Sequence, residues 1–236
     1  MGTIKAMQLE KIKAANPDIR FQEGIKRSFD LFFSLAGLVV FLPVFFMAAV
    51  TIKLDGGGAV FFRQERVGRN FKPFWLYKFR SMRSSSTGGP LVTVGGDKRV
   101  TRAGGILRKY KIDELPQLVN VFKGEMSFVG PRPEIKKYVE LFRPQYERLL
   151  TVRPGLTDPA SIRYADEERI LARSANWEEC YITRVLPEKI RLSSEYVDGS
   201  KNLFNDLMLI IRTFSRIGGK VNVFQIIKKR SGHGAA

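Results

Sequence analysis

A single long run of apolar residues dominates the hydropathy pattern of the chain. Leu31 to Ile52 spans 22 positions without a charged side chain, which is long enough for a helix to cross the apolar part of a bilayer. Pro43 stands in the middle of the run, where its ring removes a backbone hydrogen bond and costs about 3 kcal/mol in a straight helix. The pattern therefore predicts a membrane-associated helix that is broken at Pro43.

Basic residues flank this segment on both sides, with Lys26 and Arg27 before it and Lys53 and Arg63 after it. Because cytoplasmic segments carry the excess of Lys and Arg, both ends are expected on the cytoplasmic face of the membrane. We predict a re-entrant hairpin that enters one leaflet and turns back at the proline. A kinked helix that crosses the whole bilayer is the alternative.

Alternating apolar and polar residues follow the membrane segment and predict a β-hairpin. The stretches "AVFFRQERVG" and "KPFWLYKFRSM" are typical of two strands joined by a turn at residues 68–70. In the second strand, the period of two places Lys78 on the face opposite to Trp75 and Tyr77. That basic face is either a binding surface or a solvated edge.

Helical spacing of apolar residues recurs in two further segments. Leu115 to Phe122 predicts a helix that begins near Asp113 and buries one face. Residues 203–217 predict an amphipathic helix, whose apolar face either packs on the core or lies on an anionic membrane surface. The stretch from Ser84 to Gly105 is rich in Ser, Thr and Gly and predicts a long loop.

The composition restricts the chemistry that the chain can perform. The 40 Lys and Arg residues outnumber the 23 Asp and Glu residues, so anionic partners are expected: phosphorylated small molecules, acidic lipids or nucleic acid. Cys180 is the one cysteine and His233 the one histidine, which excludes a disulfide framework, a cysteine or histidine zinc site and a histidine general base. Catalysis would therefore use carboxylates, Lys, Arg and a metal ion.

Two neighbouring acids, Asp113 and Glu114, stand in the stretch "KYKIDELPQL" of this basic chain. At the start of a helix they can be an N-cap and a first-turn acid. Alternatively, an ionised carboxylate can attack phosphorus once cations and Mg²⁺ have neutralised the phosphate oxygens. The candidate cations, two of which stand beside prolines that would fix their positions, are Lys78, Arg108, Arg132 and Arg153.

The motifs "DKRVTRAGGILRKYKIDELPQLVNVFKGEMSFVGPRPE" and "VRPGLT", behind the proline-broken apolar segment, resemble the bacterial monotopic phosphoglycosyl transferases. The resemblance implies transfer of a sugar-1-phosphate from a UDP-sugar to undecaprenyl phosphate, with release of UMP, at the start of surface polysaccharide synthesis. It implies that Asp113 is the nucleophile of a covalent phosphosugar intermediate and a Mg²⁺ ligand, and that Glu114 assists or positions it. The implied substrate-binding positions are Lys78, Arg108, Arg132 and Arg153. The donor sugar stays open.

These features predict an α+β, mostly helical monotopic membrane protein with a re-entrant N-terminal helix, a small β-hairpin and amphipathic interfacial helices. We divide the chain into an N-terminal extension (1–25), the membrane helix (26–53), the catalytic domain (54–200) and a C-terminal helix with its tail (201–236). The expected location is the bacterial inner membrane, with the active site on the cytoplasmic face among membrane lipids. A homodimer is a further prediction.

A non-catalytic basic protein on a membrane or on nucleic acid is the rival interpretation of the net charge of +17. The basic residues are scattered along the chain, and none of the common nucleic-acid-binding motifs occurs in it. We therefore expect no nucleic-acid partner.

Overall fold

The computed structural model describes residues 17–56, 58–83, 95–199 and 202–217, and these are mostly helical with two small sheets. The helices are α1 (Pro17–Val40), α2 (Leu42–Leu54), α3 (Arg102–Lys109), α4 (Gln117–Lys123), α5 (Lys136–Leu141), α6 (Arg143–Leu149), α7 (Pro159–Arg163), α8 (Glu167–Ala172), α9 (Trp177–Cys180), α10 (Leu186–Asp198) and α11 (Leu203–Ile217). The strands are β1 (Phe61–Val67), β2 (Pro73–Phe79), β3 (Ser127–Val129) and β4 (Gly155–Thr157). The predicted mostly helical α+β class is confirmed. The tail with His233 lies outside the described residues.

The N-terminal apolar segment is bent, as its sequence predicts. The axes of α1 and α2 differ by 57° across a break at Phe41. Pro43 lies in the first turn of α2, where a missing N–H is tolerated because that group has no partner within the helix. Among the described helices, none is by itself long and apolar enough for a membrane span, whereas the bent pair meets both conditions together.

Three apolar clusters form the core of the described residues. The largest lies among α5, α6, α8 and α10 and includes Tyr138, Tyr146, Leu149, Leu171, Tyr181 and Leu186. A second cluster joins α2 and α3 to β2 through Ala48, Ile52, Phe79 and Leu107. The third joins β2 to α4 through Phe74, Leu76, Val121 and Met126. The second and third clusters therefore pack on opposite faces of β2, at Phe79 and at Phe74 with Leu76.

The predicted β-hairpin is confirmed. Strands β1 and β2 are antiparallel, with Glu65 opposite Trp75. The turn between them contains Asn70 and Phe71, which both have positive φ. The interpretation of the basic face as a solvated edge is wrong, because Lys78 shares its face with the buried residues Phe74 and Leu76 of the third cluster.

The helix predicted to begin near Asp113 begins four residues later. Helix α4 starts at Gln117, with Pro116 in the N-cap position, while the two acids lie in the preceding 3₁₀ turn. Asp113 caps no helix, so the capping interpretation of this acid is wrong. The helix buries its face around Val121, whereas Phe122, which the sequence placed on the buried face, is 40% exposed.

The predicted long loop ends earlier than residue 105. Helix α3 begins at Arg102, because the side chain of Thr101 caps it by accepting a hydrogen bond of 3.0 Å from the amide of Gly104. The part of the predicted loop between residues 84 and 94 lies outside the described residues.

Helix α11 has the predicted bounds and packs on β3, β4 and α7. Its polar side contacts the rest of the protein, where the hydroxyl oxygens of Thr213 and Thr157 are joined by a hydrogen bond of 2.6 Å. Its apolar residues Phe204, Ile211 and Phe214 are exposed, so the interpretation that this stripe faces the core is wrong for them.

Candidate active site

The paired acids lie in the 3₁₀ turn Ile112–Glu114 between α3 and α4. Lys111 precedes the turn and has a left-handed backbone conformation, with φ 57°. The chain therefore changes direction there after α3. Ile112 and Leu115 pack against the second apolar cluster on either side of the acids. The apolar neighbours therefore anchor the turn in the core and fix the backbone positions of the two acids.

Glu114 is the acid that holds the cations. Its Oε1 atom accepts a hydrogen bond of 3.1 Å from Nζ of Lys78 and also pairs with Nη2 of Arg132. Burial disfavours the ionised carboxylate, but Arg132 and Lys78 outweigh that effect and hold the pKa of Glu114 well below its usual range. Glu114 is therefore a fixed anion at neutral pH.

Asp113 is the acid that keeps an oxygen without a hydrogen-bond partner. It is 5% exposed, and its Oδ1 atom has no hydrogen-bond partner among the described groups. Burial and the adjacent charge of Glu114 raise the pKa of Asp113, while Lys78 and Lys111 act in the opposite direction. Because a buried polar atom without a partner is costly, this oxygen is prepared to meet a cation or an electrophile.

Lys78 and Arg132 reach the dyad from different elements of the fold. Lys78 lies near the end of β2, and its burial lowers the pKa of its ammonium group although Glu114 opposes that effect. Arg132 follows β3, and its Nη1 atom also donates to the carbonyl oxygen of Leu156 at 3.3 Å. The sequence predicted both residues as substrate-binding cations, and the structure places both at the dyad.

Arg108 lies in the last turn of α3, beside the dyad but bonded elsewhere. Its guanidinium pairs with Glu168 from α8 and lies 3.5 Å from the hydroxyl oxygen of Ser81. Its charge still favours the ionised form of Asp113. A phosphate would have to share this guanidinium with Glu168 or displace the glutamate.

The structure does not place Arg153 at the dyad. Its Nε atom donates a hydrogen bond of 2.9 Å to the carbonyl oxygen of Gly124, the residue that ends α4. Burial, together with the charges of Arg69 and Arg27, lowers the pKa of Arg153. Arg153 therefore holds a helix C-terminus, where a cation interacts favourably with the helix dipole. The sequence motif could not distinguish this position from a substrate site.

Sequence reasoning missed the residues behind Arg132. Glu134 is 8% exposed and lies between Arg66, at 2.9 Å, and the hydroxyl of Tyr181, at 2.5 Å. The available signal was an acid directly after "GPRP" in a basic chain, but its partners are distant in the sequence.

The dyad could provide one protein ligand for a magnesium ion. Within the part of the chain that the structure describes, no group of three or more His, Cys, Asp or Glu residues could enclose a metal. Mg²⁺ commonly uses only one or two carboxylates and completes its shell with water and phosphate oxygens. The partnerless Oδ1 atom of Asp113 is a suitable ligand, whereas Glu114 is already bonded to Lys78 and Arg132.

The sequence matches the bacterial sugar transferases over residues 21–220. It is 45% identical over 148 residues to the exopolysaccharide production protein PSS of Rhizobium leguminosarum bv. phaseoli, covering 59% of this chain and 74% of that protein. It is 43% identical over 155 residues to a UDP-N-acetylgalactosamine-undecaprenyl-phosphate N-acetylgalactosaminephosphotransferase of Aeromonas hydrophila, covering 62% of this chain and 37% of that protein. It is 35% identical over 192 residues to a UDP-glucose:undecaprenyl-phosphate glucose-1-phosphate transferase of Caulobacter vibrioides, covering 80% of this chain and 67% of that protein.

Proposed function

The chain belongs to the bacterial sugar transferase family, and from this premise we propose that it transfers a sugar-1-phosphate from a UDP-sugar to undecaprenyl phosphate, releasing UMP. Two relatives are named for such transfers, with different sugars, and a third is named for exopolysaccharide production. These names support a role at the start of polysaccharide synthesis. They do not support the rival interpretation as a non-catalytic basic protein.

The observation that carries the proposal is the unequal state of the two acids. Glu114 is bonded to two cations, whereas Asp113 keeps a buried oxygen without a partner. An aspartate in this state is suited to act as a nucleophile, provided that nearby positive charge lowers the barrier to approach of an anionic phosphate.

The proposed reaction has two displacement steps at one phosphorus atom. In the first, a carboxylate oxygen of Asp113 bonds to the phosphorus that carries the sugar, the bond between that phosphorus and the UMP oxygen breaks, and UMP leaves. In the second, a phosphate oxygen of undecaprenyl phosphate bonds to the same phosphorus and the bond to Asp113 breaks. The carboxylate is restored, and the product is the undecaprenyl diphosphate sugar.

The cations at the dyad supply the electrostatic stabilisation that both steps need. Lys78 and Arg132 are already held beside Glu114, so little reorganisation is required when phosphate enters. The charges of Lys78, Lys111 and Arg108 favour the ionised form of Asp113. Mg²⁺, for which Asp113 would be the protein ligand, would neutralise phosphate oxygens.

The bent helix pair gives the proposed location of the site. Large apolar side chains on α1 and α2 are exposed, among them Phe32, Val39, Val40, Leu42, Phe46 and Met47. A contiguous apolar surface of this kind needs a cover in water, and a bilayer would provide it. We propose that the pair enters the cytoplasmic leaflet of the inner membrane and turns back at the break before Pro43. The dyad would then meet the acceptor phosphate at headgroup level.

A topology experiment tests this placement. Single cysteines at Thr3 and Gly56, in a Cys180→Ser background, are expected to react with a membrane-impermeant thiol reagent from the cytoplasmic side. Labelling of the two positions from opposite sides would favour the bitopic helix and contradict the hairpin.

Intact-mass analysis tests the chemistry. The detergent-solubilised protein would be incubated with Mg²⁺ and a panel of UDP-sugars, in parallel with the Asp113→Asn variant. A mass increase equal to one sugar phosphate less one water is expected in the parent protein, absent from the variant and removed by undecaprenyl phosphate. UMP release that requires undecaprenyl phosphate and proceeds without any adduct would contradict the covalent intermediate, as would normal turnover of Asp113→Asn.

A further inference from the structure

The turn that carries Arg132 is fixed by its backbone on both sides. Before the arginine, the carbonyl oxygen of Pro131 accepts a hydrogen bond of 2.9 Å from the amide of Gly155. After it, the carbonyl oxygen of Glu134 accepts one of 3.0 Å from the amide of Val67, at the end of β1. The proline rings on either side of Arg132 restrict the chain further, so a shift of either anchor would move the arginine.

The side chain of Glu134 forms a third anchor, directly behind the arginine. Its Oε1 atom accepts hydrogen bonds from Nη1 of Arg66, at 2.9 Å, and from the amide of Ile135, at 2.8 Å. Its Oε2 atom accepts from the hydroxyl of Tyr181 at 2.5 Å. Arg66 also donates to the carbonyl oxygen of Pro133 at 3.3 Å. The glutamate therefore joins the turn to β1 and to the largest apolar cluster.

This network is not required by packing alone. Glu134 is 8% exposed and Tyr181 is 1% exposed, so an ionised carboxylate here carries a desolvation cost that apolar residues would avoid. Burial opposes its ionisation, yet Arg66 and Lys189 hold the pKa of Glu134 below its usual range. A small cavity beside this network is lined by Arg132, Glu134 and Lys189. Arg132 and the network around Glu134 therefore border the same cavity.

We propose that Glu134 is a positioning residue for Arg132. Held by Arg66 and Tyr181, it fixes the turn so that the guanidinium of Arg132 meets Glu114 at the dyad. The inference rests on the proposed function for its effect on turnover, and on geometry alone for its effect on the placement of Arg132.

The Glu134→Gln variant keeps the size of the side chain and removes its charge, so Arg66 loses its ionic partner. A displacement of about 1 Å at a catalytic group can lower a rate about 100-fold, and we expect kcat to fall at least about tenfold. In an Arg132→Ala background the same change should lower kcat less than about twofold further, because both substitutions act through one guanidinium. Equal losses in both backgrounds would overturn the proposal, since they would show a general structural role.

The Tyr181→Phe variant provides a milder second perturbation. It removes the hydroxyl that donates to Glu134 and keeps the ring in the apolar cluster. Glu178→Gln is the matched control for Glu134→Gln, because Glu178 also accepts a hydrogen bond from a buried tyrosine, Tyr138 at 3.2 Å, but contacts Lys137 instead of the turn. We expect a reduced kcat for Tyr181→Phe and a kcat equal to that of the parent for the control.

A measurement that needs no turnover reports on the position of Arg132 itself. Phenylglyoxal modifies guanidinium groups, and peptide mass spectrometry gives its rate at each arginine. Release of Arg132 from Glu114 should raise its labelling rate several-fold in Glu134→Gln and Tyr181→Phe. Labelling of Arg153, which is bonded to the carbonyl oxygen of Gly124, should not change.

The two measurements separate the failure of this inference from the failure of the proposed function. Faster labelling of Arg132 in both variants supports the inference, whether or not the parent protein transfers sugar phosphate. Unchanged labelling of Arg132 in both variants overturns it. A parent protein without transfer activity, tested with its substrates, would contradict the proposed function and leave the labelling result decisive for the positioning role.

Discussion

Replacing Glu114 by glutamine is expected to destabilise the protein, because one carboxylate oxygen holds two cations. Oε1 of Glu114 accepts a hydrogen bond of 3.1 Å from Lys78 and pairs with Arg132. Glutamine has nearly the same volume but no charge, so the two cations would face each other with only Asp113 to compensate them. The change therefore tests the electrostatic organisation of the site without creating a cavity.

The expected magnitude follows from the burial of the three side chains. Removing one partner of a fully buried ion pair costs about 3–5 kcal/mol. Here Glu114 is 16% exposed, while Lys78 and Arg132 are 24% and 30% exposed, so solvent screens part of the loss. We expect a loss of about 2 kcal/mol in the free energy of unfolding, after discounting the buried-pair value for this screening. For a chain of this size that corresponds to a fall in Tm of about 4–8 °C.

Thermal unfolding followed by intrinsic fluorescence in one detergent and one buffer would measure this fall. Glu178→Gln is the matched control, because its partner Lys137 is 57% exposed and solvent screens such a surface pair. The control should therefore leave Tm close to that of the parent protein. A Glu114→Gln variant with the same Tm as the control would refute the argument that this carboxylate organises the two cations.

Three further predictions follow from the described contacts. Burial together with the acidic neighbour Glu114 raises the pKa of Asp113, so in the metal-free protein its carboxylate should titrate above the ordinary aspartate value of about 4; titration below that value, followed by carbon-detected NMR, would contradict the assignment. Arg132→Gln should lower kcat about 100-fold or more, whereas Arg153→Gln should lower Tm with little change in kcat; equal kinetic losses would return Arg153 to the substrate site. Gly104→Ala should prevent accumulation of folded protein, because its Cβ would collide with a backbone carbonyl oxygen, whereas Gly105→Ala has open space and should fold; equal yields would contradict this packing.

The sequence predicted the features that depend on neighbouring residues. A proline within an apolar run produces a helix break through local sterics, and the bend between α1 and α2 lies two residues before Pro43. Alternation around a short turn predicted the β-hairpin, whereas its register, with Val67 opposite Pro73, was not predicted. The neighbouring acids were visible as an unusual pair in a basic chain, and their role as candidates needed no tertiary information.

The errors concern what each element packs against. A solvated edge was one of two interpretations of the face of β2 that carries Lys78, but α4 packs on that face. Helix α4 begins at Gln117, later than predicted, because the preceding residues form a 3₁₀ turn that keeps Asp113 buried. Arg153 shares its proline-rich surroundings with Arg132, yet its partner is a carbonyl oxygen 29 residues away. No local pattern distinguishes these environments.

The charges around Asp113 and Glu114 explain why the site has two neighbouring acids. A single aspartate among Lys78, Arg132 and their neighbours would form an ion pair with them, and its lone pairs would be occupied when a substrate arrived. In this structure Glu114 takes up both cations, so the adjacent Asp113 keeps an oxygen without a partner. The same cations remain close enough to stabilise an incoming phosphate. One acid therefore holds the positive charge in place, and the other keeps a carboxylate oxygen for the proposed attack on the phosphate that this charge would attract.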